Sequence, residues 1–399
     1  MPKTSFTWSP ADIAKKIPAE ISTPYKITIP KGQNNFRIPQ SVHKYFVYKT
    51  LLAVDVRPGF AALAAEKLAD NDKWGISTHG INRLYEIYLK KIQQGIINPN
   101  ALPTVKIDHS QALVDAHHGL GFVASHYASS LAMTLAETYG SSFVSVKNSN
   151  HFGTGRNWVT LMASGGKYYA ECGTNARPSV AMVNSALPMI GTNPIAAAVE
   201  LSPGIFFCPD CATASKHNGN TEKYVKMGIP LPEGYVYDMQ GQPILNAVQA
   251  LKQVREKTAF NTPVGGLNES KGGHGHKGTC FALNEETKSL LSTGPSSLGT
   301  SGRDQNNQPI PHELSHYFRC TKLETTFRSA ADYLKNLNEL LTQIQNSPKL
   351  PGTDRVYYPG QKEYLAEQDS LKNGIPIDQS MVSTIQQIQD ELGLTILKF

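Results

Sequence analysis

The sequence predicts an α/β fold, and three observations carry that reading. Amphipathic helical periods, at residues 120–137, 329–344 and 380–392, share the chain with short apolar runs bounded by turns, at residues 143–146, 179–183, 195–199 and 205–208. The apolar run Phe143-Val144-Ser145-Val146 empties directly into Lys147-Asn148-Ser149-Asn150-His151-Phe152-Gly153. Asn, Ser and His are costly to bury without partners, so such a cluster after a strand implies a strand end opening into a ligand site.

Each element follows in order. Residues 1–38 are rich in Pro and Lys, show no sustained period, and are expected to lie as an extension over the surface. Apolar residues then recur at helical spacing over 42–70, where Ala61 to Ala69 are strong helix formers. A second helix is expected over 81–94, with Leu84, Ile87, Tyr88 and Ile92 on one face, so His79 sits in or beside its first turn. Helix 120–137 ends at Gly140, a residue that tolerates the left-handed C-cap. Strand 143–146 and helix 158–164 come next. The runs 179–183, 195–199 and 205–208 are spaced as strands of one sheet. Residues 221–227 and 245–252 read as helices around a turn-rich loop at 230–243, 281–291 as a helix continuing the glycine-rich 263–278 segment, and 293–311 as a polar loop.

Composition only bounds the function. The 399 residues are 40% hydrophobic and 9% aromatic, enough for one large or two ordinary cores. The net charge of +6 arises from 38 basic against 32 acidic residues without basic runs, which argues against a nucleic-acid tail. No apolar run reaches the roughly 18 residues a membrane helix needs. The five scattered cysteines do not form a secreted disulfide framework. A cytoplasmic location, with no membrane or nucleic-acid partner, is the expectation.

A histidine supplies an acid/base group that titrates near neutrality, and an arginine a cation for an anionic ligand. In Thr78-His79-Gly80-Ile81-Asn82-Arg83 a histidine and an arginine four apart can face one way from the start of a helix. The same residues could be a capped helix start with ordinary surface side chains. Gly191-Thr192-Asn193-Pro194 is a second polar turn, and two such turns after strands of one sheet suggest a ligand edge.

Together with His276-Lys277-Gly278, Arg355-Val356-Tyr357-Tyr358-Pro359-Gly360 and Gly374-Ile375-Pro376, these segments closely resemble the malate/L-lactate dehydrogenase family of the second type. That family includes sulfolactate and ureidoglycolate dehydrogenases and is not the Rossmann family of the same common names. The resemblance implies a non-Rossmann, L-sulfolactate dehydrogenase-like α/β fold with a central mixed sheet flanked by helices. It also implies a helical part from both chain ends and a homodimer with sites near the interface. The expected division is 1–38 as extension, 39–115 with 311–399 as helical, substrate and dimerisation part, and 116–310 as cofactor domain.

The expected activity is hydride transfer between NAD or NADP and a small 2-oxo or 2-hydroxy acid. His79 matches the family's proton donor, Thr78 keeps the hydroxyl of its usual Ser, and Arg83 would hold the substrate carboxylate. Asp210, in Cys208-Pro209-Asp210-Cys211-Ala212, would hold the His79 imidazole in one tautomer; as an ordinary residue it would cap a helix. The cofactor is expected on Asn148, Asn150, His151, Gly153, Thr174, Asn175, Thr192, Asn193 and Ser215, with His276, Lys277, Gly278 and Gly360. Asn184-Ser185 stands where the family has two glycines, and Cys280 where it has one.

Two rival signals are weighed. His312-Glu313-Leu314-Ser315-His316 is a formal metalloprotease motif if helical, with Glu339 a possible third ligand. Its context, running into Tyr317-Phe318-Arg319-Cys320, predicts a strand, on which the two histidines stand roughly 13 Å apart. Gly273-x-Gly275-x-x-Gly278 lacks a preceding strand and a following acidic residue, so it is not read as a Rossmann fingerprint.

Overall fold

The computed structural model describes residues 17–267, 273–300, 302–306 and 308–399. Its centre is an eight-stranded mixed sheet. In chain order the strands are β1 (Thr104–Asp108), β2 (Gln111–Asp115), β3 (Phe143–Ser149), β4 (Tyr168–Thr174), β5 (Ile195–Ser202), β6 (Ile205–Phe207), β7 (Asp210–Cys211) and β8 (Leu314–Lys322). The spatial order is β6-β5-β4-β8-β3-β2-β1, with β7 also paired to β5. Only β2 and β3 run parallel; the remaining pairs are antiparallel.

The late strand β8 thus lies mid-sheet. It contributes Leu314, His316, Tyr317, Phe318 and Cys320 to the buried interior. The expected boundary at 311 assigned it to the helical part, and β1 and β2 likewise lie on the sheet although they precede 116. The run at 179–183, expected in the same sheet as 195–199, instead enters a separate four-stranded sheet. Its Val180 and Ala181 pair there with Asn261 and the strand Pro188–Ile190. Periodicity reports that a segment is extended, not which neighbour it finds.

Of helices α1 (Gln40–Leu52), α2 (Pro58–Lys73), α3 (Gly121–Tyr139) and α4 (Arg156–Ala163), α3 and α4 pack on the sheet, while α1 packs on α2 and α2 on α3 and α4. Further helices are α5 (Asn218–Met227), α6 (Ala247–Arg255), α7 (Gly275–Leu290), α8 (Ala330–Gln345), α9 (Gln361–Asn373) and α10 (Met381–Leu392). The expected 42–70 helix is broken at Asp55, whose φ of 61° is left-handed. α3 is buried along most of its length, is exposed in its last turn, and ends as expected at left-handed Gly140.

The two chain ends meet. Tyr25–Lys26 pairs parallel with Leu397–Lys398, and Asn35–Ile38 pairs antiparallel with Ile375–Asp378. The second pairing corrects the expectation of a surface extension to residue 38: Phe36 and Ile38 alternate with exposed neighbours and are fully buried in the core. Residues 1–16 of that extension lie outside the described residues.

Candidate active site

The site starts at the C-terminal end of α2, which delivers buried Asn71 and Asp72. Asn71 donates from Nδ2 to the His79 carbonyl at 2.9 Å. Its Oδ1 accepts from Thr154 Oγ1 at 2.8 Å and from Asn157 Nδ2 at 3.0 Å. Asp72 accepts from the Ile81 amide at 2.7 Å and meets His43 Nε2 at 2.8 Å. A Cβ at Gly80 would run into the Asp72 carboxylate, which explains glycine after His79. The 3-10 turn Ser77–His79 is therefore fastened from both sides.

Downstream, the expected helix 81–94 is a composite of the 3-10 turn Ile81–Arg83, a π-helical stretch Leu84–Leu89 and the α-turn Lys90–Gln93. The wider π coil brings Tyr88 to the site, where its hydroxyl donates to His151 Nδ1 at 2.7 Å. Since Nδ1 also accepts from the Gly153 amide at 3.3 Å, the neutral ring carries its proton on Nε2. The His79 ring stacks on His151 with centroids 5.6 Å apart and meets His217 edge-on at 5.4 Å. Thr78 Oγ1 lies 3.0 Å from His79 Nδ1.

Three imidazoles this close beside Arg83 resist protonation. His79 is held well below the ordinary histidine range by burial first, then by His217, His151 and Arg83. Burial followed by Arg83 and Lys91 does the same to His151, and burial followed by Arg83 pushes His217 down to about 4. Each ring keeps part of its surface open to solvent. A neutral imidazole there is free of charge and able to accept a proton.

Arg83 stands where the sequence places it, but most of its guanidinium is committed. Nε donates to the Thr78 carbonyl at 2.5 Å and Nη1 to Glu222 at 2.7 Å. The first turn of α5 packs on it, and a Cβ at Gly219 would collide with Nη2. One nitrogen, not the expected fork, is left for a carboxylate.

Asp210 does not reach His79. Its carboxylate accepts from the Arg156 amide at 2.8 Å, at the N-terminus of α4, so the structure shows the helix-capping arrangement in place of the expected His79 pair. Burial pushes its pKa up to about 6, opposed by Arg156. Gly360 also lies apart from His79: with a φ of 98°, it packs where a side chain would strike the Phe206 carbonyl and Cys208 amide.

The expected asparagines mainly fasten loops. Asn148, at a φ of 53°, donates to both oxygens of Asp115 at 3.0 Å. Asn150 donates to the His118 and Gly119 carbonyls, leaving its buried Oδ1 without a partner. Asn175 ties Ser315 and Pro295, and Asn193 ties Ala176 and Glu286. Thr174 Oγ1 bonds the Ser315 carbonyl, Thr192 accepts from Thr213, and Ser215 donates to the Pro263 carbonyl. His276, Lys277 and Gly278 form the first turn of α7, which starts with no side-chain cap and no acidic residue. Of the family's two glycines, the first is replaced by Asn184 at a φ of 63°, a conformation Asn tolerates best after Gly. Cys280 points outward from α7.

The His312–His316 segment is not helical: the strand begins only at Leu314, and Glu313 before it is left-handed at a φ of 53°. His316 lies within β8 and is fully buried, with its ring nitrogens 2.6 Å from Thr174 Oγ1 and 2.8 Å from Ser149 Oγ. Asn71, Tyr88, His217 and Glu222 were not legible as site residues. Tyr88 reads as one more apolar position of a helix, and the others come from segments with no motif of their own.

The malate/L-lactate dehydrogenase family matches residues 38–386. Malate dehydrogenase of Pyrococcus abyssi is 31% identical over 366 residues, 91% of this chain and 96% of that protein. L-sulfolactate dehydrogenase of Methanocaldococcus jannaschii is 30% identical over 84% of this chain and 91% of that protein. Among solved structures, malate dehydrogenase from Entamoeba histolytica superposes with a TM-score of 0.84 at 30% identity, covering 92% of this chain and 100% of that one. The chain belongs to the malate/L-lactate dehydrogenase family, and its mixed-sheet architecture is that of the family's solved members.

Proposed function

We propose that the protein interconverts a small 2-oxo acid and its 2-hydroxy acid, with NAD or NADP as hydride partner and His79 moving the proton. The observation that carries this reading is the fastened turn that presents a neutral His79 against His151, beside Arg83. In oxidation His79 takes the hydroxyl proton, and in reduction it returns it to the carbonyl oxygen. Thr78 and the stacking partners hold the ring, while Tyr88 orients His151. Arg83 contributes charge for the substrate carboxylate through its remaining nitrogen.

The bound nicotinamide would supply or accept the hydride. A residue fitting its phosphates is present: Lys277 stands in the first turn of α7, at the helix end whose dipole favours an anion. Relatives support both halves of the reading. Their names include malate and sulfolactate dehydrogenases, and the relative from Chromohalobacter salexigens is named for NADP. Homodimerisation is part of the proposal, supported by α8, an amphipathic helix with only Leu341 buried.

Purified protein mixed with oxaloacetate or pyruvate should consume NADH or NADPH, and malate or lactate should regenerate it. His79→Asn should lower turnover by roughly two to four orders of magnitude while cofactor binding stays near wild type. Wild-type turnover in that variant would remove His79 from the mechanism.

A further inference from the structure

The sheet gathers a second basic cluster beside the first. β8 runs antiparallel to both β3 and β4, with Leu314 opposite Ser149 and His316 opposite Thr174. His312 before β8, His151 after β3 and Arg177 after β4 are therefore delivered to one end of the sheet. Lys91 joins them from the helical segment whose Tyr88 bonds His151.

Among the described residues, no acidic group is given over to this cluster. His312 is only 4% exposed, yet neither ring nitrogen has a hydrogen-bond partner, and Gly302 packs so closely that a side chain there would strike the imidazole. Among the described residues, no acidic side chain lies within ion-pair distance of Lys91 or Arg177. Glu222, which attracts Arg177, is already bonded to Arg83 and Arg255. Burial and mutual repulsion accordingly lower the pKa of Lys91 and push His312 down to about 2, while Arg177, whose surface is exposed, adds its charge to both. Clustered cations and an unpaired buried imidazole are what an anion site presents before its ligand arrives.

We propose that Lys91, Arg177 and His312 form a second anion subsite, which receives the distal carboxylate or sulfonate of a dianionic 2-oxo or 2-hydroxy acid. This rests on the oxidoreductase reading for its substrate class. Its place favours the substrate over the cofactor, because Lys91 stands on the segment carrying Arg83 and Tyr88, and its charge reaches His151. A monoanionic acid uses Arg83 alone and leaves the cluster uncompensated. The subsite therefore selects acids with a second negative group.

The test measures kcat/KM for oxaloacetate and pyruvate in wild type, Lys91→Met, Arg177→Met and the double variant. It is paired with NADH and NADPH dissociation constants and the melting-temperature rise given by malate alone. Lys90→Met, on an exposed lysine paired with Glu86, is the control. The oxaloacetate-to-pyruvate ratio should fall about tenfold or more in each single variant, as expected for a lost charge-assisted contact, and stay at the wild-type value in the control. The malate-induced melting shift should shrink in parallel. An unchanged ratio with wild-type turnover intact overturns the subsite and leaves the oxidoreductase reading standing. Weakened cofactor binding with an unchanged ratio overturns it too, by giving the cations to the cofactor phosphates. Absence of turnover with every 2-oxo acid, together with a malate shift that needs Lys91 and Arg177, overturns the oxidoreductase reading and keeps the subsite.

Discussion

Asn71 shows how one side chain without a motif can govern a site. Its amide links the His79 carbonyl to Thr154 and Asn157, so a single buried group joins the Ser77–His79 turn to the segment after β3. Removing it leaves a carbonyl, a hydroxyl and an amide short of partners in a buried place. Asn71→Ala should cost about 2 kcal/mol in urea unfolding and lower kcat more than it raises KM, because the His79 ring loses its fixed position. A stability loss with an unchanged kcat would show that Asn71 only packs.

At the scale of elements, the decisive arrangement is the junction of α2 with the Ser77–His79 turn. Asp72 caps the next turn through the Ile81 amide while pairing with buried His43, and its carboxylate occupies the space a side chain at residue 80 would need. Gly80→Ala should destabilise the fold by about 1–3 kcal/mol, the range for overpacking, and displace His79 with it. Circular dichroism melting together with turnover checks this. An unchanged melting temperature and unchanged activity would mean that the α2 end yields without cost.

Across the whole molecule, burying neutral histidines sets a pH limit. His316, His312 and His217 are pushed down to about 3, 2 and 4 by burial, whereas an unfolded histidine titrates near pH 6.5. Below about pH 6.5 the unfolded chain takes up protons that the folded chain refuses, so stability falls as pH falls, down to the folded pKa values. For fully buried His316 the loss between pH 7 and pH 5 is about 2 kcal/mol. His316→Gln should flatten the pH dependence of urea unfolding by that order, while a slope equal to wild type would show that the ring ionises in place.

The sequence by itself marked many of the elements and singled out the Thr78-His79-Gly80 turn as a candidate site. Local periodicity marks α3, β3, α8 and α10, and a strand context at 312–320 separates the formal zinc motif from a helix. The Thr78-His79-Gly80 turn and Arg83 stand out because they match the motif of the family the chain resembles; their spacing alone also suits a capped helix start. Only the tertiary structure decided the partners. Which strand lies beside which depends on contacts between segments far apart in sequence, so β8 mid-sheet and Val180–Ala181 in a second sheet could not be read from period. The same non-local pairing sends Asp210 to the α4 N-terminus instead of His79, commits Arg83 to Glu222 139 residues away, and collects Lys91, Arg177 and His312. Side-chain chemistry is written residue by residue, but charge compensation and burial exist only once the chain has folded.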